Sequence, residues 1–392
     1  MNGGKIKLLT LLAATALVLF CAGNVLAAAS GACVNCHTMH NSQDGTSFMV
    51  DGTDGPAPAL VRAASCYGCH GDTDLVNGTW EDFTNAPGRT PRINAQNYGD
   101  YGVSGDTLAG GSFYWVDPSG AGEGTPDRKG HNVVGVAEMD AVLKLQPPGW
   151  DPNFSANGQI NGGAETWTTQ LTCAGVTGCH GERLDDQGQP ITDDFTAVKG
   201  GHHGNDDVLT GEEVATSYRF LKGIIGYEDP EWEFQPTASQ HNQYYGVARK
   251  SDDQFDSKTI SYLCAECHGD FHSGAGSKGA DDGNWGAPWL RHPTDLDMND
   301  LAATSEYADY NEGGSYSVVA PVASEDVSTV KSVVLAGAGD AVVTCISCHR
   351  AHGSPYDDLL RWAYTSEDGP HVMKAASGAG NVGCFICHTT KD

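Results

Sequence analysis

Apolar residues recur at helical spacing in only a few short windows of this chain. They fall at residues 136–145, 212–221 and 356–364, which predicts three short helices. Residues 315–322 and 330–335 read as short strands, with Pro321 confining the first to an edge. Between these windows lie stretches rich in Gly, Asp, Ser and Asn, such as 117–130 and 274–286, which read as loops. So much loop argues against a conventional packed core. The glycine content sharpens the point, at 51 of 392 residues. Something other than side chains must fill the interior.

The amino terminus follows a different pattern. Lys5 and Lys7 precede an apolar run over residues 8–20, and Val25-Leu26-Ala27 matches a small-residue cleavage site. Residues 1–27 therefore read as an export signal, and residues 28–392 as a single secreted domain. The apolar run is short for a membrane span, and no later segment matches its length, so no membrane span is expected. An uncleaved anchor is the other reading of this segment. Cys21 follows Phe20, where a lipoprotein signal would place a small residue. The net charge of −28 implies a soluble, self-repelling surface and excludes nucleic acid as a partner.

Twelve of the 13 cysteines lie beyond the signal, a number that in an exported chain suggests disulfides. Their spacing suggests otherwise. Five times the chain reads Cys-x-x-Cys-His: Cys33, Cys36, His37; Cys66, Cys69, His70; Cys264, Cys267, His268; Cys345, Cys348, His349; and Cys384, Cys387, His388. Thiols three positions apart reach the two vinyl groups of one porphyrin, and the next residue lies under its iron. Zinc sites and disulfide scaffolds also use paired cysteines, but neither requires His directly after the second. With His at 15 of 392 residues, five such followers do not arise by chance.

The remaining pair, Cys173 and Cys179, precedes His180 with a spacer of five residues. A disulfide beside a coincidental His is one reading. Haem attachment through a looped-out spacer, eased by Gly175 and Gly178, is the preferred one, giving six c-type haems. The expected fold is mostly irregular coil, with short helices and a few short strands wrapped around a stack of covalently bound haems. Porphyrin faces then supply the apolar burial that the side chains lack.

Nine histidines lie outside the motifs: His40, His131, His202, His203, His241, His272, His292, His352 and His371. They outnumber the six second axial positions, so some are bystanders. Iron with imidazole on both faces has no place for substrate, which points to electron transfer and away from an enzyme. His40, His272 and His352 each stand three or four residues after a proximal His. They lie on the face of their own porphyrin that is already taken, so each is better placed to ligate a different haem.

The stretches CVNCHTMHNS (residues 33–42), RKGHN (128–132), CAECHGDFH (264–272), LRHP (290–293), CISCHRAHGS (345–354) and the terminal CFICHTTKD run through the exported chain in order. In them the protein resembles the six-haem outer-membrane cytochrome S group, whose members assemble into extracellular filaments. The resemblance implies a file of closely packed bis-histidine haems continuing from one subunit to the next. It implies that His40 ligates the fifth haem of a neighbouring subunit, and that His131, His272, His292 and His352 are further distal ligands. The third site departs from the group's pattern with CAGVTGCHGER, so its distal ligand falls to His203 or His202, with His241 in reserve.

The functional expectation is extracellular electron conduction by a polymerising subunit, with haem attached in the periplasm. The partners expected are further copies of the chain, other cytochromes and extracellular electron acceptors at the cell surface. A monomeric periplasmic or surface-bound shuttle is the alternative. A multihaem oxyanion reductase is a third reading, disfavoured by 22 Lys+Arg against 50 Asp+Glu.

Overall fold

The computed structural model describes residues 37, 42–43, 46–47, 60–61, 66, 70, 93, 108–117, 128–143, 145–150, 167–201, 209–230, 232–233, 235–249, 255–272, 294–301, 309–363 and 383–389. The signal segment and the candidate residues Cys33, Cys36, Cys69, His40, His202, His203, His292 and His371 lie outside these.

Coil dominates, as the sequence pattern predicts. Among the described residues the longest α-helix is Ile260–Ala265, of 6 residues. Among the described residues strands pair only in twos, Ser42–Gln43 with Thr46–Ser47, Thr172–Ala174 with Gly178–His180, Gly226–Tyr227 with Gln243–Tyr244, and Leu296–Asp297 with Val342–Val343. No helix among the described residues is long and apolar enough to cross a membrane.

The three helices expected from apolar spacing do not form, because side chains intercept the backbone. Around 136–145, Asp140 Oδ1 accepts from the amides of Val142 and Leu143 and holds a turn. Around 212–221, Thr210 and Thr216 hydroxyls take the amides of Glu212 and Glu213, and only Tyr218–Phe220 winds as a 3-10 turn. At 356–364 a single 3-10 turn, Asp357–Leu359, remains. The strand expected at 315–322 shrinks to one bridge, Ser315 to Val333, since Ser317 Oγ captures the amides of Val319 and Ala320.

The apolar interior is divided into small clusters, several of them seated against motif cysteines. Tyr310, Tyr316, Val322, Trp362 and Ile386 pack with Cys348, Cys384 and Cys387. Phe113, Val116, Val133 and Val136 pack with Cys173, and Trp150 and Trp167 with Cys267. Clusters of this size leave much of the burial to be supplied by the attached group.

Candidate haem-attachment sites

Each Cys-x-x-Cys-His motif with a described His and first Cys closes as one helical turn. The amide of the His donates to the carbonyl of the first Cys, at 2.9 Å for His70–Cys66, 2.9 Å for His268–Cys264, 3.1 Å for His349–Cys345 and 3.0 Å for His388–Cys384. Local caps start these turns. Thr259 Oγ1 accepts from Tyr262 N ahead of Ile260–Ala265, and Thr344 with Ser347 forms a capping box around Cys345–Cys348. On such a turn, residues three apart stand side by side and present both thiols to one edge of a planar group.

The third motif reaches the same presentation by another route. Its spacer folds back so that Thr172–Ala174 and Gly178–His180 pair in parallel, Thr172 opposite Gly178 and Ala174 opposite His180. Cys173 and Cys179 thus stand across one ladder rung, about 5 Å apart by strand spacing, close to the separation on a helical turn. Gly175, at φ +83°, makes the reversal, and a Cβ there would lie 2.6 Å from Ile191 O. Thr172 Oγ1 and Thr177 Oγ1, 3.1 Å apart, close the loop. None of the nine described cysteines is in a disulfide, this pair included.

Two pairs of imidazoles face each other at one characteristic distance. The ring centres of His180 and His352 are 6.3 Å apart, and those of His131 and His268 are 6.2 Å apart. Two imidazoles on one iron, with bonds of about 2 Å and about 1 Å more to each ring centre, give roughly 6 Å. The ring nitrogens are prepared for that use. His180 Nδ1 lies 3.0 Å from Arg219 O, His131 Nδ1 2.6 Å from Ala351 O, His268 Nδ1 2.7 Å from Pro148 O and His349 Nδ1 2.8 Å from Asp358 O. A carbonyl only accepts, so Nδ1 carries the proton and Nε2 keeps its lone pair for a metal.

Burial keeps His131, His268, His349 and His352 neutral. Desolvation, aided by neighbouring imidazoles, lowers His352 to about 3 and His268 to about 4, and desolvation also lowers His131 and His349. Yet His131, His180, His268 and His352 are only half-buried and His349 is exposed. Such rings are not closed over by protein, and a porphyrin face is a group that would cover them. The residues present therefore suit c-type haem.

The other two described histidines outside the attachment motifs are closed. His241 is 0% exposed, stacks on Tyr316 at 3.5 Å and keeps Nδ1 2.7 Å from Asn242 O. His272 is 2% exposed and points Nε2 at Asp295 Oδ2, 3.0 Å away. The partners of His180 and His268 are what spacing alone does not reveal.

A crossing of glycines sets His131 and His352 beside each other. Gly353 bridges both Gly111 and Gly130, and His131 N donates to His352 O at 3.2 Å. A Cβ on Gly111, at φ +75°, would sit 2.0 Å from Gly353 O, and one on Gly353 2.5 Å from Ser112 O. Gly188 shares that backbone conformation at φ +74°, with nothing near its Cβ position. Gly111→Ala should therefore destabilise the loaded protein by roughly 2–4 kcal/mol, against about 1 kcal/mol for Gly188→Ala. Thermal unfolding of the two variants checks this, and equal midpoints would remove the crossing from the account.

Consecutive motifs adjoin through their cysteines. The ligating atoms of Cys66, Cys173 and Asp194 lie within 4.8 Å of one another, and the Cys264 thiol is hydrogen-bonded to that of Cys345. Cys179 and Cys267 are close enough to interact electrostatically, as are Cys348 and Cys384. From the second motif to the sixth, the attachment points form one file.

Residues 338–392 match the family described as Doubled CXXCH motif. The chain is 28% identical over 380 residues to the C-type cytochrome OmcS of Geobacter sulfurreducens, covering 84% of this chain and 78% of that protein. Two solved structures also match. One is an outer-membrane cytochrome S filament from Geobacter sulfurreducens, with TM-score 0.43, 19% identity, and 93% of this chain and 100% of that chain covered. The other, OmcS nanowires from the same organism, has TM-score 0.37, 21% identity, and 85% and 84% covered. The chain thus resembles the outer-membrane cytochrome S group over most of its length and carries the attachment motifs of a multihaem c-type cytochrome.

Proposed function

We propose that this protein conducts electrons outside the cell through six bis-histidine haems and polymerises into a filament. The two imidazole pairs at 6.2 and 6.3 Å carry the reading. In it, Cys173, Cys179 and His180 hold the third haem, with His352 as distal ligand in place of His203, His202 or His241. His131 closes the iron above His268. His40 of a neighbouring subunit closes the iron above His349. With His272 shut against Asp295, three irons remain for His292, the His202-His203 pair and His371. Bound haem supplies reversible one-electron chemistry, and imidazoles on both faces keep substrate from the iron. The chain's part is to hold the rings, exclude water and keep neighbouring attachment points in file.

Loading is decided by mass. The mature protein should weigh the chain from residue 28 plus six haems, with a haem-bearing peptide spanning Cys173 and Cys179. Five haems and a Cys173–Cys179 disulfide would show that the five-residue spacer defeats attachment. Electron microscopy of the same preparation separates a filament from a monomeric shuttle.

A further inference from the structure

Arg183 and Glu266 form a two-pronged ion pair, Nη1 to Oε1 at 3.3 Å and Nη2 to Oε2 at 2.5 Å. Both side chains are 9% exposed. Their positions in the chain are informative. Glu266 is a spacer residue of the fourth motif, between Cys264 and Cys267, and Arg183 follows His180 of the third motif by three residues. The charges of both lie close to the thiols of Cys179 and Cys267.

A buried ion pair yields little net stability, because desolvation offsets the Coulomb attraction. What a planar guanidinium gripping both carboxylate oxygens does provide is a fixed distance and angle between the segments that carry it. The same two sites are also joined on their distal side. His352 faces His180 and His131 faces His268, and the two distal residues are neighbours through the bond from His131 N to His352 O. The third and fourth sites are therefore tied twice, once beside their cysteines and once behind their distal histidines. The fork is the tie made by side chains.

We infer that Arg183 and Glu266 are positioning residues that set the mutual orientation of the third and fourth haems, an inference that rests on the proposed loading of both motifs. Neither residue touches an iron. Each acts through the motif backbone that carries the cysteines and the proximal His.

The test uses the haem-loaded full-length protein and circular dichroism in the Soret region, where the signal reports the geometry between adjacent porphyrins. Arg183→Lys keeps the charge and removes the second prong. It should keep the wild-type haem count by mass while the Soret couplet loses amplitude and changes shape. Arg183→Glu should lose the couplet further, and the exchange Arg183→Glu/Glu266→Arg should bring it back towards wild type. A full haem complement with an unchanged couplet in Arg183→Lys would overturn the inference, even if the thermal midpoint fell, since that is what a merely structural pair would show. A wild-type mass lacking haem on Cys173 and Cys179 would overturn the loading itself, and the inference with it. Arg183→Lys decides the matter where the charge-reversed variants do not accumulate.

Discussion

Replacing His352 by Ala should convert a single iron per chain from low-spin to high-spin, without loss of haem. In the proposed arrangement the haem is held by thioether bonds at Cys173 and Cys179 and by His180, none of which the substitution touches. What disappears is the ring whose centre stands 6.3 Å from that of His180. Of the imidazoles close to it, His180 is the proximal ligand in the proposed arrangement, His131 serves the iron above His268 and His70 belongs to the second motif. Phe113 packs 4.8 Å from the ring, and a Cβ on Gly110 would lie 2.8 Å from His352 Nδ1. The variant therefore leaves a hollow beside Phe113 and Gly110, at a packing cost of roughly 1–3 kcal/mol. Added imidazole should fill that hollow and restore the low-spin spectrum. The ferric optical charge-transfer band and electron paramagnetic resonance read both steps. The same measurement on His203→Ala and His202→Ala discriminates the two assignments of the third site. If either of those variants, and not His352→Ala, opens the iron above His180, the facing of the two rings has been misread.

How much was visible in the sequence depends on how far apart the cooperating residues stand. The attachment turns are local. Cys and His three and four positions apart define them, and the bond from His268 N to Cys264 O closes within the motif itself. The caps that start those turns are equally local, Thr259 before Ile260–Ala265 and Thr344 with Ser347 around Cys345–Cys348. Apolar periodicity overlooks helices of one turn, which contain too few residues to show a period. The same periodicity suggested helices at 136–145 and 212–221, where Asp140, Thr210 and Thr216 had already committed the amides to turns.

Residue counting shows the distal side as a surplus of histidines, and the resemblance to the cytochrome S group singles out His40, His131, His272, His292 and His352 without pairing most of them to an iron. Which ring faces which iron depends on backbone crossings between distant segments, such as Gly111 and Gly130 against Gly353. Glycine at these positions signals a close approach without naming its partner. The closure of His272 on Asp295 has the same character: residues 264–272 place His272 next to a haem motif, and only the fold shows Asp295 turned towards its Nε2. Residue type and spacing thus identify attachment, while ligation is a property of the tertiary structure.

Replacing His40 by Ala should leave a folded subunit with every haem attached, yet one that polymerises poorly. His40 follows His37 by three residues, a spacing that predicts it on the face of its own porphyrin taken by the proximal ring, so the proposed ligand role points away from that haem. The acceptor in the proposed arrangement is the iron above His349 in the next subunit. That ring is exposed, and its Nδ1 donates to Asp358 O at 2.8 Å, which leaves Nε2 for the metal. A ligand contributed across an interface couples assembly to coordination, because this iron acquires its second imidazole only when two subunits meet. The coupling has a physical task. Subunits carrying a net charge of −28 repel one another, and salt screens that repulsion beyond about 10 Å but not at direct contact. An iron–imidazole bond at the contact helps to offset it. The variant should therefore show one high-spin iron per subunit that binds added imidazole, together with short or absent filaments in electron micrographs. Raising the ionic strength should recover part of the assembly without restoring the low-spin signal. Filaments of normal length carrying a high-spin iron would instead place the partner of His40 within its own chain, and the inter-subunit role would fall.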